Sequence, residues 1–194
     1  MKIILASKSG VRKEILDKYK VDSEVIISNV DEDQIKESLL EQKATPLNIS
    51  KNLAEIKSIK VSNKNPDRLV LGADSVISLS NKLINKPKSR SEALDILKQL
   101  NGSKHFLISS VCISKNGAMI WNHSESSELK MKNFSEKELI KYLDTIKTDI
   151  LLRYGVYQVE AGGLTLFEYI KGDKDSIMGL PIKQIMNYIK NYKI

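Results

Sequence analysis

One cysteine, Cys112, stands among 194 residues, so an intramolecular disulfide framework and any multi-cysteine zinc or iron–sulfur site within one chain are excluded. A reducing, cytoplasmic setting is the expectation. No run approaches the roughly 18 to 20 apolar residues that a membrane helix needs. Lys2 is followed by only five apolar or small residues before Lys8, too few for a signal-peptide core. The chain is therefore expected to be soluble, with no membrane partner. Histidine is scarce: His105 and His123 lack metal-type spacing to other ligands and read as strand or surface residues. Arginine is scarce as well. The 31 basic residues include only Arg12, Arg68, Arg90 and Arg153, so the formal net charge of +7 is a lysine surplus. Diffuse lysine is a poor footprint for nucleic acid, where the planar guanidinium fork is favoured. Aromatic residues make up 6% of the chain and form no aromatic-basic stripe, which leaves a nucleic-acid partner the weakest reading despite a pI near 9.3. An anionic small molecule is the expected partner.

What is present suits one compact domain over residues 1–194, with two lobes around a cleft as its expected form. Its 41% hydrophobic residues are enough for a chain of this length to bury roughly 70% of its unfolded surface. Ile3-Ile4-Leu5 is a short buried-strand run feeding Ser7-Lys8-Ser9-Gly10, after which Val11, Ile15, Leu16 and Tyr19 fall on one helix face. A strand, a polar turn and a helix N-terminus present free backbone N–H groups, a ready anion site. Thr45-Pro46 opens a second helix with Ile49, Leu53 and Ile56 as its stripe and Lys57 beside it. Leu69-Val70-Leu71 and Val76 to Leu79 read as strands interrupted by Gly72-Ala73-Asp74-Ser75. Ser89 with Glu92, and Ser135 with Glu138, have the spacing of capping boxes. Phe106–Ser114 and Met119–Met131 alternate as strands about an Asn116-Gly117 hairpin turn. Leu164–Ile170 reads as a further strand, and Pro181 begins a last helix. The expected class is α/β, a mixed, elongated, partly antiparallel sheet flanked by helices with a central cleft.

Polar clusters stand at the ends of these elements: Ser9 with Arg12 and Lys13; Asp31-Glu32-Asp33; Gly72-Ala73-Asp74-Ser75; and Lys86-Pro87. Singly each has a bland explanation, as a helix cap, a solvated face, a loop or a strand end. Asp74 is the least bland, because a carboxylate directly after a core strand incurs desolvation that a surface loop avoids. Together they hold what phosphoanhydride hydrolysis needs: cations for the phosphates, carboxylates for a divalent metal, and a base for water. Arg12, Lys13, Lys57 and Lys86 are the candidate cations. Glu32 and Asp74 are the candidate ligands for magnesium, which favours one or two carboxylates plus phosphate oxygens. Asp74 is also the candidate base. Neither a phosphate-binding Gly-x-x-x-x-Gly-Lys-Ser/Thr loop nor a Gly-x-Gly-x-x-Gly after a strand occurs, and Cys112 within Val111-Cys112-Ile113 reads as a small core residue.

Six segments in order resemble one family across essentially the whole chain. They are Ile4-Leu5-Ala6-Ser7-Lys8-Ser9 through Arg12-Lys13-Glu14-Ile15-Leu16, Val30-Asp31-Glu32, Leu53-Ala54-Glu55-Ile56-Lys57, Leu71-Gly72-Ala73-Asp74-Ser75, Asn85-Lys86-Pro87, and Gly172-Asp173 to Gly179-Leu180-Pro181. They look like the Maf family. The resemblance implies a Maf/Ham1-like fold and a nucleotide pyrophosphatase that hydrolyses nucleoside triphosphates to the monophosphate and pyrophosphate. It also implies a divalent metal, Mg2+ or Mn2+, and a homodimer, in a family first noted as septum-formation inhibitors. Carried over by position, Asp74 matches the proton acceptor, and Ser9, Arg12, Lys13, Glu32, Lys57 and Lys86 match the polar lining of the phosphate and metal region. Gly10 replaces the usual proline, a less pre-organised turn.

Val11, Ser75 and Glu160 bear on substrate choice. Pyrimidine-selective members carry arginine, threonine and glutamine at these positions, and this chain has none of them. An apolar residue at 11, with Glu160 and the following Leu166-Phe167-Glu168, is similar to members that cleave 7-methyl-GTP. A carboxylate accepts hydrogen bonds from the guanine N1–H and N2 edge, and N7 methylation makes that ring cationic. A purine or methylated-guanine preference is expected, the alternatives being dTTP and UTP cleavage or a division regulator that binds nucleotide with little turnover.

Overall fold

The computed structural model describes residues 2–157 and 163–192. Its elements are β1 (Ile3–Leu5), α1 (Gly10–Lys18), β2 (Ser23–Val25), α2 (Glu32–Glu41), α3 (Pro46–Ser62), β3 (Val70–Leu79), β4 (Lys82–Ile84), α4 (Arg90–Leu100), β5 (Lys104–Lys115), β6 (Ala118–Met131), α5 (Glu136–Asp144), α6 (Thr148–Tyr154), β7 (Phe167–Lys171), α7 (Lys174–Ile177) and α8 (Ile182–Asn191). The class is mixed α/β, as the patterning indicates. Strands follow the order β2-β1-β3-β5-β6-β7, with β4 on β3. The pairs β1·β2 and β1·β3 are parallel, and β3·β4 and β6·β7 antiparallel. No helix among the described residues is long and apolar enough to cross a membrane.

Two compact units are distinguished. The first comprises Met1–Val76, Ile108–Ser126 and Asp173–Ile194; the second comprises Ile77–Leu107 and Ser127–Gly172.

In the first unit β1 lies between β2 and β3, and its Ile-Ile-Leu is buried throughout, the pattern of a parallel strand covered on both faces. Alternation divides the core. Leu5, Leu71 and Ala73 join Ile15 and Leu16 of α1 and Ile182 and Ile185 of α8, while Ile4, Ala6 and Val70 join Val61 of α3. Successive residues of β1 and β3 thus face opposite layers, with α1 on one side and α3 on the other. Asn116 and Gly117 have φ of 52° and 75°, the paired positive values of a two-residue hairpin turn joining β5 to β6.

One sequence expectation is corrected in this unit, and one bland alternative is set aside. Gly72–Ser75 does not interrupt a strand: β3 is continuous from Val70 to Leu79. A Cβ built on Gly72 would stand 2.1 Å from the Ala54 carbonyl oxygen and 2.8 Å from the Ser58 nitrogen. That glycine is therefore the place where the backbone of α3 lies directly on the strand. The acidic trio is no loop either, because Asp31 caps α2 by accepting from the Gln34 N–H, with Glu32 and Asp33 in its first turn, where the positive end of the helix dipole favours carboxylates.

In the second unit Ser135 and Glu138 form a full capping box on α5. At α4 the box is not reciprocal, since Ser89 accepts from the Glu92 N–H while the Glu92 carboxylate reaches the Lys88 N–H. The expected strand Leu164–Ile170 is shorter and preceded by a 3-10 turn over Gly163–Leu166. Here the Leu166 carbonyl accepts from the Lys132 N–H and the Thr165 carbonyl from the Lys132 ammonium. Regular pairing resumes only beyond an irregularity at Lys130/Met131.

Candidate active site

The centre of the first unit is a carboxylate held in a strand. Residue alternation along β3 turns Asp74 toward the same face as Gly72 and Val70, the face on which α3 packs. On α3 the buried residues Ser50, Ala54, Lys57, Ser58 and Val61 recur at helical spacing, and their small members allow the close approach at Gly72. That approach brings the Lys57 ammonium to 2.8 Å from Asp74 Oδ1 and 2.9 Å from Glu32 Oε1. Ser50 Oγ donates to the Asp74 carbonyl at 3.2 Å. Asp74 and Lys57 are each 5% exposed. Burying such charges is tolerable only when they are paired.

Asp74 Oδ2 is buried and has no hydrogen-bond partner among the described residues. A buried carboxylate oxygen left unmatched is costly, and Oδ2 has the capacity to accept a further hydrogen bond or a cation. With Glu32 on the same ammonium, the donor set is two carboxylates, one of them with an unspent oxygen. Among the described residues no three His, Cys, Asp or Glu side chains converge. This set fits a hard divalent cation completed by phosphate oxygens, and does not fit a zinc cage.

The opposite face of β3 is held by Arg12 of α1. Its Nε donates to the Gly179 carbonyl at 3.0 Å, Nη1 to Ser7 Oγ at 3.2 Å and the Ala73 carbonyl at 2.9 Å, and Nη2 to Ser75 Oγ at 3.1 Å. Burial pushes the guanidinium below its usual pKa, while Asp74 and Glu32 pull the other way. Ser75 Oγ also bonds Ser109 Oγ at 2.9 Å. The expected specificity position Ser75 is thus a member of the Arg12 network, and Val11, on α1, packs against the core cluster.

The remaining expected site residues divide. Ser9 is the N-cap of α1, accepting from the Arg12 N–H at 3.4 Å. Lys13 pairs with Asp17 one turn along α1, so α1 does not bring it onto Asp74. Lys86 lies in the second unit, where its ammonium donates to the Arg153 carbonyl at 3.0 Å. Glu160 is outside the described residues.

Sequence reasoning missed Ser50, Ser109 and the Gly179 carbonyl as supports of the site. The helical spacing of Ser50 with Ala54 and Lys57 was a usable signal; a backbone carbonyl leaves none. It also missed Asp175, which is 4% exposed and takes the Tyr19 hydroxyl at 2.5 Å and the Lys18 ammonium at 3.0 Å.

Comparison with known proteins follows the same lines. The model of the family described as Maf-like protein matches residues 2–192. A nucleoside triphosphate pyrophosphatase of Pelagibacter ubique (strain HTCC1062) is 56% identical over 191 residues, covering 98% of both chains. Another, of Caulobacter vibrioides (strain ATCC 19089 / CIP 103742 / CB 15), is 38% identical over 97% of this chain and 94% of its own. A 7-methyl-GTP pyrophosphatase of Brucella abortus biovar 1 (strain 9-941) is 32% identical over 100% of this chain and 97% of its own.

Proposed function

This chain belongs to the Maf family, and we propose that it is a hydrolase converting a nucleoside triphosphate to the nucleoside monophosphate and pyrophosphate. The observation that carries the reading is the half-spent carboxylate: Asp74 has Oδ1 on Lys57 and Oδ2 buried without a partner. Such an oxygen can accept a proton from water. In the proposed step water attacks the α-phosphorus while Asp74 takes its proton, the bond from that phosphorus to the α,β-bridging oxygen breaks, and pyrophosphate leaves. Lys57 fixes the carboxylate in place through its contact with Oδ1. Glu32 and Asp74 would hold Mg2+ or Mn2+, which when bound offsets phosphate charge. The exposed Lys13–Asp17 pair is cheap to exchange, so Lys13, with Ser9 and the N–H groups opening α1, supplies the phosphate contacts on this unit.

Names of relatives with high coverage support a nucleoside triphosphate as substrate. The finer reading is a purine or 7-methyl-GTP-like preference. It rests on the residue types at Val11, Ser75 and Glu160 and on the likeness to the Brucella enzyme. Pyrophosphate release from 7-methyl-GTP, GTP, dTTP and UTP with Mg2+ or Mn2+ tests both levels. Faster cleavage of dTTP and UTP sinks the purine preference alone, and nucleotide binding without pyrophosphate release makes the protein a binder. Asp74→Asn should lose about 10² to 10⁴ of kcat, the usual worth of a positioned base, while remaining folded. Full turnover by that variant removes Asp74 from the chemistry. The homodimer is tested by sedimentation equilibrium.

A further inference from the structure

Arg12 lies on the opposite side of β3 from the Lys57–Asp74 pair. Its partners are not the carboxylate but the two residues that flank it: Nη1 takes the Ala73 carbonyl at 2.9 Å, and Nη2 takes Ser75 Oγ at 3.1 Å. The same guanidinium holds the Gly179 carbonyl and Ser7 Oγ. A guanidinium has five N–H bonds. One on Nε, two on Nη1 and one on Nη2 are spent on acceptors of this unit, which leaves one for anything else. A phosphate ligand of the forked, bidentate kind needs two.

The acceptors come from the β1–α1 connection, β3 and the turn after α7, so one side chain fixes three segments against each other. At Gly179 the fit is close. Its φ is +97°, and a Cβ there would stand 3.3 Å from Arg12 Nε and 3.1 Å from Ser75 Oγ. Ser75 continues the chain of contacts to Ser109 on β5 at 2.9 Å. Through these bonds Arg12 holds the peptide unit before Asp74 and the side chain of the residue after it. The carboxylate is in turn aimed by Lys57 from the other face.

Resting on the reading of Asp74 as the base, we infer that Arg12 is the positioning residue for Asp74 and not a ligand of the substrate phosphates, with Ser75 as its strut. A base misplaced by about 1 Å loses on the order of 10²-fold in rate, whereas a lost phosphate contact appears in substrate and product affinity. The two roles therefore separate in kinetics.

The experiment uses Arg12→Lys and Ser75→Ala in the full chain. Each is assayed with a nucleoside triphosphate and Mg2+ for kcat, KM and inhibition by pyrophosphate, with activity expressed per folded molecule from urea unfolding. Arg12→Lys should lower kcat on the order of 10²-fold, Ser75→Ala should lower it less, and KM and pyrophosphate inhibition should stay within about threefold of the parent in both, since no uniform binding is removed. Ser75→Ala keeps the test open if Arg12→Lys does not fold. A rise in KM and weaker pyrophosphate inhibition at unchanged kcat would make Arg12 a phosphate ligand. Unchanged kcat per folded molecule would make it purely structural. Either result overturns the inference while Asp74→Asn stays inactive; an active Asp74→Asn overturns the reading of the site instead, whatever Arg12 does.

Discussion

The two units bury polar groups in opposite ways. In the first, charged side chains lie on both faces of β3: the Lys57 ammonium is paired with Asp74 and Glu32 on one face, and the Arg12 guanidinium is held by carbonyls and hydroxyls on the other. In the second, the buried polar pair is neutral: His105 is 0% exposed, its Nε2 lies 3.0 Å from the Tyr157 hydroxyl, and the Phe167 ring meets Tyr157 edge-on at 5.0 Å. Burial drives the His105 pKa down to about 4 and raises that of Tyr157. Burial among aromatic rings favours the neutral form of a side chain, whereas a facing opposite charge offsets the cost of burying a charged one. The first unit also holds a buried carboxylate oxygen, Asp74 Oδ2, without a partner among the described residues.

The largest expected break in this contrast comes from Lys57→Met. It strands Asp74 as an unpaired buried carboxylate and should cost about 3–5 kcal/mol, against near neutrality when both partners of such a pair become apolar. Urea unfolding of Lys57→Met and of the double variant Lys57→Met/Asp74→Leu measures both. A double variant no more stable than the single one would show that pairing is not what holds the charges there.

Next comes pH. Folded His105 gains its proton only near pH 4, whereas in the unfolded chain histidine does so near 6.5. The unfolded state holds the extra proton between these values, so stability is complete above about pH 6.5 and falls as pH drops toward 4. The full difference is on the order of 3 kcal/mol at most. His105→Gln, which can still bond Tyr157, should flatten the dependence of the urea midpoint between pH 7 and 5. An unchanged slope would place the titrating group elsewhere.

How much of this was readable in advance differs by region and for physical reasons. Caps and turns are local, so Ser135–Glu138 and Asn116-Gly117 were legible from spacing alone. Asp74, Lys57 and Glu32 were legible as chemistry, but not the way they meet. The glycine that seemed to break a strand is what lets α3 touch it, and a close approach between segments 18 residues apart, Ala54 and Gly72, leaves no periodic trace. Arg12 read as a phosphate cation because a cation at a helix start suits an anion. That its acceptors would be carbonyls and hydroxyls of Ala73, Ser75 and Gly179 depends on tertiary packing. Gly72→Ala tests the packing directly. The Cβ meets backbone at 2.1 Å, so α3 must shift, with a cost of about 1–3 kcal/mol as for other overpacked sites. Turnover should fall more than stability does, because Lys57 moves with the helix. A variant of normal kcat would mean that the ammonium's position is not critical.

The smallest effect separates two helix caps, one in each unit. Ser9 accepts from the Arg12 N–H at 3.4 Å and Ser135 from the Glu138 N–H at 3.4 Å, so each hydroxyl makes the same cap bond, although only Ser135 belongs to a reciprocal capping box. Replacing either by alanine should cost about 1 kcal/mol. The Ser135 hydroxyl also donates to the Glu138 carboxylate at 2.7 Å, and its loss is purely a matter of stability. Ser9 opens the helix assigned to the phosphates. A hydrogen bond to a charged group contributes about 1.5–3 kcal/mol, so Ser9→Ala should raise KM for a nucleoside triphosphate by about tenfold or more, whereas Ser135→Ala leaves it unchanged. Equal KM values in the two variants, at equal loss of stability, would reduce Ser9 to a cap and move the phosphates away from the start of α1.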